Sequence, residues 1–175
     1  MSLAPVETSA GAILHVGCGG DPLPAWLKGA ETRLDIDPRH KPDIIASMTD
    51  LGDIGEFDFI YCSHALEHLH HHEVKRALRE FHRVLKDGGG ALIVVPNLEN
   101  VQPTFGVVYT TPAGWEITGF HMFYGAPEMI EDNPHMAHRS GFVPETMSAA
   151  LKDAGFQQVK IVPDQRYNLI AAARK

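Results

Sequence analysis

The stretch "ILHVGCGGDPLPAW", residues 13–26, decides how the chain is read. Apolar residues run into Gly17-Cys18-Gly19-Gly20, and Pro22 and Pro24 follow closely. A short apolar run bounded by turn residues reads as a buried strand. The prolines leave a following helix short or absent. Gly17 and Gly19 allow positive φ and close approach to bare main chain. A strand ending in so uncrowded a turn leaves room for a ligand at its tip. Taken alone, the glycines serve a plain turn equally well, so the rest of the chain has to decide.

Further strands are expected at "TRLDID" (32–37), "PDIIAS" (42–47), "FDFIYCS" (57–63) and "GALIVVP" (90–96). Near-continuous apolar runs suit strands covered on both faces, as in a parallel sheet. The strongest helix signal is "EVKRALREFHRVLK" (73–86), with Val74, Ala77, Leu78, Phe81, Val84 and Leu85 on one stripe. Its charged residues form a solvated face, and Gly88-Gly89-Gly90 is expected to stop it. "PETMSAALKDA" (144–154) opens on Pro144 and stops at Gly155. "FQQVKIV" and "YNLIAAA" give two closing strands. The alternation implies an α/β fold with a mostly parallel sheet. Residues 97–141 show no clear period and are expected to form an irregular cover over a functional site.

The 175 residues suit a single domain, with residues 1–11 as a lead-in. A net charge of −7 disfavours nucleic-acid partners. No apolar run approaches the roughly 20 residues that cross a bilayer, so no membrane partner is expected. The start of the chain lacks a secretion signal, and Cys18 and Cys62 are too few for a disulfide scaffold. A cytoplasmic location with reduced thiols is therefore expected.

In open α/β sheets, ligands bind beyond the carboxyl ends of the strands. Three signals fall there. One is the glycine turn. Another is Asp35 or Asp37 ending the second strand, where a carboxylate can accept both hydroxyls of a ribose. The third is "FDFIYCSHALEHL" (57–69) leading to "FHRVLKDGGGALIVVP" (81–96).

Together "HVGCG", "LDIDP" and these two stretches resemble, in order and spacing, the class I S-adenosylmethionine-dependent methyltransferases, in particular their small type 11 group. The resemblance covers about residues 12–97 and returns in "LKDAGFQQVKI". It implies a Rossmann-like sheet of seven strands, order 3-2-1-4-5-7-6, flanked by helices, with the last strand antiparallel. It implies S-adenosyl-L-methionine as cofactor. It further implies methyl transfer to an O or N atom of a small-molecule or glycan-like acceptor. By the same resemblance, Gly17, Cys18 and Gly19 pass beneath the methionine part of the cofactor. Asp35, with Ile36 beside it, holds the ribose. Ser47, Met48 and Thr49 lie near the adenine, and Ser63 and His64 meet the amino group. The chain departs from the family at His15 and Ser47, where acids are usual, and at Asp21, where a third glycine is usual.

Two alternatives stay open. One is a cofactor-binding regulator without catalysis. The other is an NAD-binding oxidoreductase, which calls for G-x-G-x-x-G and an immediate helix that "GCGGDPLP" lacks.

A hydroxyl or amine acceptor must lose a proton, and histidine is the usual base at neutral pH. His64, at a strand tip, is the first candidate and His121 the second. Tyr109, Trp115, His121, Tyr124 and His138 are expected to shape the acceptor pocket. Plainer readings stand beside these: loop packing for His121 and Trp115, a hinge for His138, a small turn residue for Cys18. In "HLHHHEVK" (68–75), His68 and His72 are four apart, but no acid or cysteine cluster completes a ligand set, so no metal is expected.

Overall fold

β1 (Ala12–Val16) lies inside a seven-stranded sheet, pairing in parallel with β2 (Ala30–Asp35) and β4 (Phe57–Ser63). The computed structural model describes residues 11–175, so the expected lead-in lies outside the described residues except for Gly11. Val16 sits opposite Leu34 and Cys62, which brings three strand tips to one level. β3 (Ile44–Ile45) extends one edge beside β2. β5 (Leu85–Pro96) pairs in parallel with β4. The chain also forms a hairpin of β6 (Val107–Thr110) and β7 (Glu116–Thr118), then β8 (Gln157–Pro163) and β9 (Asn168–Arg174). The sheet order is β3-β2-β1-β4-β5-β9-β8, with β9 antiparallel to both neighbours. Setting the separate hairpin aside, this is the expected 3-2-1-4-5-7-6.

The core lies mainly on one face of the sheet. α1 (His71–Val84) and α4 (Pro144–Asp153) contribute Leu78, Phe81, Met147 and Leu151, all fully buried against Leu14, Ile60 and Ile93. The opposite face of the central strands carries Ile13 and Phe59. Leu27 from the proline-containing loop covers them, with Leu23 alongside. No helix forms between Gly20 and Ala30, as the prolines require.

Several boundaries differ from those expected. β2 ends at Asp35 because Asp37 caps a 3-10 turn, Pro38–His40, by accepting the Arg39 amide. α1 ends at Val84, before the glycines, because Leu85 is already extended (φ −81°, ψ 140°). β5 thus begins at Leu85. Gly88, at φ +75°, sits where the β4–β5 register jumps from Phe57↔Leu85 to Phe59↔Gly90. α1 also starts at His71, so His68 belongs to the preceding 3-10 turn, Leu66–His68, and not to the same helix as His72.

The segment 97–141 is more regular than its sequence pattern implies. It holds the hairpin, α2 (Gly119–Tyr124) and α3 (Pro127–Asp132). These pieces are too short to show a period, and α3 buries no residue. Local bonds set them instead. Thr118 accepts the His121 amide at 3.1 Å to start α2.

Candidate active site

The turn after β1 is fixed from two sides. Cys18 donates its amide to Leu34 O at 3.2 Å, carrying the β1–β2 ladder into the turn. Arg33 of β2 donates to Gly19 O and Asp21 O, both at 2.8 Å, and holds the outer loop. The two glycines do different jobs. Gly17 is at φ +63°, and a Cβ there would run into the Ala65 side chain. Gly19 is at φ +49°, and a Cβ there would project into open space, with nothing within 4 Å. Packing against Ala65 therefore dictates Gly17, and only Gly19 leaves its missing side chain's space to the cleft.

Asp35 ends β2, is buried, and faces this turn. Its Oδ2 accepts the Gly19 amide at 2.8 Å and its Oδ1 the Asp37 amide at 2.9 Å. A carboxylate has about four lone-pair positions, so two stay available to a diol. Asp37 serves a different end. It binds Arg39 side-chain nitrogens at 2.7–3.1 Å and accepts from Asn133 Nδ2 at 3.2 Å. The Arg39 hydrogen bonds hold its pKa down at about 2. Asn133 belongs to the cover, so this contact pins cover to sheet.

Between these parts lies a cleft of about 450 Å³, inside the range of roughly 300–1,000 Å³ typical of ligand sites. Gly17, Cys18, Gly19, Asp35 and Ile36 line it, as do Ser47, Met48, Ser63 and His64. Thr49 does not line it; its hydroxyl bonds Ser47 Oγ at 2.8 Å. His15 also lies away from the cleft. Its Nδ1 meets Glu31 at 2.8 Å, and Glu31 lies 3.6 Å from Arg33, so His15 braces the loop from behind. Asp21 also lines the cleft.

A second cavity of about 220 Å³ adjoins the first, and His64 lines both. Tyr109, His121 and His138 line this second space, and Tyr109 stacks on Tyr167 with ring centroids 5.9 Å apart. Trp115 and Tyr124 do not line it. Trp115 is 66% exposed, and Tyr124 is 48% exposed and packs on Phe120.

His64 has φ +50°, a left-handed conformation that non-glycine residues hold only when their surroundings fix it. Its Nδ1 lies 3.4 Å from Glu67 Oε1. Desolvation favours the neutral imidazole, but the Glu67 carboxylate, with Asn168 and Asp164, outweighs it, and the His64 pKa is raised.

The family assignment rests on the whole chain. A family model described as a methyltransferase domain matches residues 2–161. The chain belongs to the methyltransferase-domain family. A search of the curated proteins finds no match. Among solved structures, this methyltransferase domain is similar to an S-adenosylmethionine-dependent methyltransferase from Mesorhizobium loti. The two are 19% identical over 95% of this chain and 91% of that one, with a TM-score of 0.65. A second is the 1,6-didemethyltoxoflavin-N1-methyltransferase of Burkholderia thailandensis, solved with 1,6-didemethyltoxoflavin and S-adenosylhomocysteine. It is 17% identical over 95% of this chain and 71% of that one, with a TM-score of 0.60. A third, an S-adenosylmethionine-dependent methyltransferase from Clostridium acetobutylicum, is 12% identical over 93% and 83%, with a TM-score of 0.64. Likeness at these identities establishes a shared fold.

Sequence reasoning about this methyltransferase domain passed over four residues that build its site: Glu31, Arg33, Glu67 and Asn133. Glu67 had a signal. It lies three residues after His64, a spacing that brings side chains together on one turn. The other three act across the chain and leave no local trace. Among the described residues no helix is long and apolar enough to cross a membrane.

Proposed function

We propose that residues 1–175 act as one S-adenosylmethionine-dependent methyltransferase domain, passing a methyl group past His64 to an O or N atom of a small-molecule or glycan-like acceptor. The observation that carries this reading is that His64 borders both cavities. One is large enough for a nucleoside-bearing cofactor, and the other for part of a small acceptor.

The cleft residues fit S-adenosylmethionine. Asp35 keeps two lone pairs for the ribose hydroxyls. Ser47 and Met48 stand where the adenine belongs. The space over Gly19, with Ser63 and His64 opposite, suits the amino-acid end. When bound, the cofactor supplies an electrophilic methyl on a sulfonium. The protein's share is then alignment of donor and acceptor, which can supply most of the acceleration of such a displacement.

His64 is the group placed to take the acceptor's proton. With Nδ1 turned toward Glu67, Nε2 is its accepting atom. His121, in the second cavity, is the reserve base. Tyr109 and His138 form walls of the acceptor space. The segment 97–141 shapes that space.

The test is transfer of labelled methyl from S-adenosylmethionine into a panel of small hydroxyl, amine and glycan acceptors. Thermal shifts with S-adenosylmethionine, S-adenosylhomocysteine and NAD⁺ run beside it. The reading expects transfer, with stabilisation by the first two compounds only. Stabilisation by NAD⁺ alone overturns it. Stabilisation by S-adenosylhomocysteine with no transfer to any acceptor favours a non-catalytic binder.

A further inference from the structure

Glu67 is 1% exposed, and neither carboxylate oxygen has a hydrogen-bond partner. A buried charge in that condition costs several kcal/mol unless something compensates it. His64, at 3.4 Å, approaches without hydrogen-bond geometry. His68 and His138 also lie close to it. Ligand atoms of Glu67, His68 and His138 all lie within 4.8 Å of one another. The chain assembles this group from distant parts: the turn after β4 and the last residues of the segment 97–141. Backbone bonds join them, with Arg139 and Ser140 amides donating to Glu67 O at 2.9 and 3.1 Å.

The histidine tautomers are fixed. His68 Nδ1 lies 3.2 Å from Ala137 O, and His138 Nδ1 lies 2.9 Å from Met122 O. A carbonyl only accepts, so each Nδ1 carries a proton, and in the neutral ring each Nε2 keeps a lone pair. This outer-shell pattern orients metal-binding histidines. Bonds of about 2.0–2.2 Å to nitrogen and oxygen put ligand atoms roughly 3–4 Å apart, which small side-chain rotations reach here.

We propose that Glu67, His68 and His138 bind one divalent transition-metal ion of the Zn²⁺ or Co²⁺ class. The site is empty. Two imidazoles and one carboxylate make three protein ligands, the number that leaves an open coordination position. His68 borders the cofactor cleft and His138 the second cavity, so that position lies at the junction where an acceptor oxygen could coordinate. The acceptor role rests on the methyl-transfer reading. Metal binding itself does not.

The test uses the full chain, treated with chelator and titrated with Co²⁺ and Zn²⁺ without cofactor or acceptor. The readouts are bound metal per chain, Co²⁺ visible absorption and melting temperature. The proposal expects one equivalent bound, a higher melting temperature and nitrogen-ligand Co²⁺ bands. Glu67→Gln and His138→Ala should each weaken binding by at least about 100-fold, beyond the 10–100-fold typical of losing an outer-shell partner. Metal-free Glu67→Gln, close to isosteric, should stay folded by circular dichroism, so that its loss of binding reports the missing carboxylate.

His70, His71 and His72 are exposed nearby and can chelate on their own. The variant His70→Gln/His71→Gln/His72→Gln controls for this and should keep the site. Binding lost in that variant, binding kept in Glu67→Gln and His138→Ala, or no binding at all overturns the proposal. None of those results bears on S-adenosylhomocysteine affinity, so the cofactor reading stands or falls separately.

Discussion

Asp35 takes the Gly19 amide on one carboxylate oxygen, at 2.8 Å, joining the tip of β2 to the turn after β1. With the Asp37 amide on its other oxygen, this carboxylate shapes the turn as well as facing the cleft. Its two jobs separate by substitution. Asp35→Ala removes both bonds, each worth up to about 1.5–3 kcal/mol when the acceptor is charged. It should lower stability in urea unfolding by about 1–3 kcal/mol and weaken S-adenosylhomocysteine binding at least tenfold by calorimetry. Asp35→Asn keeps one acceptor oxygen and should recover most of the stability but not the affinity. Full affinity in the Asn variant would remove Asp35 from the ribose site.

Gly17 and Gly19 should fail in different assays. Gly17→Val drives a side chain into Ala65 at positive φ, so it should impair folding itself. Gly19→Ala meets no atom and should lose only about 1 kcal/mol from left-handed strain, yet its methyl should weaken S-adenosylhomocysteine binding. Thermal melts and titrations on the two variants distinguish these outcomes. A well-folded Gly17→Val that only loses cofactor would contradict the division.

The Asp37–Arg39 pair makes an acid-range prediction. Arg39 depresses the Asp37 pKa to about 2 from an ordinary 3.8, so the pair's contribution is full above the ordinary value and disappears as pH falls through about 2. Arg39→Gln should therefore melt below wild type at pH 5, and the gap should close between pH 4 and pH 2. A gap that stays constant to pH 2 would show that the pair contributes no pH-linked stability.

Tyr109 lines only the second cavity. Tyr109→Ala should raise the acceptor KM by about tenfold, equivalent to roughly 1.4 kcal/mol, and leave S-adenosylhomocysteine affinity within twofold. Equal loss of both would place acceptor and donor in one space.

The sheet was legible because its strands are short apolar runs ending in glycines or acids, and because Leu78 and Phe81 mark α1 so clearly. That Asp35, Ser63 and His64 would line a cleft was legible because clefts of α/β folds collect at strand tips. The cover was not. Tyr109 and His121 sit in elements of four and six residues, held by capping bonds and pair contacts rather than by a periodic stripe. Trp115 and Tyr124 looked like pocket walls because aromatic residues suit both walls and surfaces, and no local pattern separates the two. Glu67 was passed over although it stands three residues after His64; only the fold brings His138, 71 residues along the chain, close to it. Gly17 and Gly19 looked equivalent because only the fold puts Ala65 beside one of them.

The most direct measurement is a crystal structure of the protein with S-adenosylhomocysteine. The account predicts the ribose hydroxyls on Asp35, the adenine beside Ser47 and Met48, and the sulfur facing the His64 junction between the two cavities. A ligand bound elsewhere, or its ribose out of reach of Asp35, would contradict it.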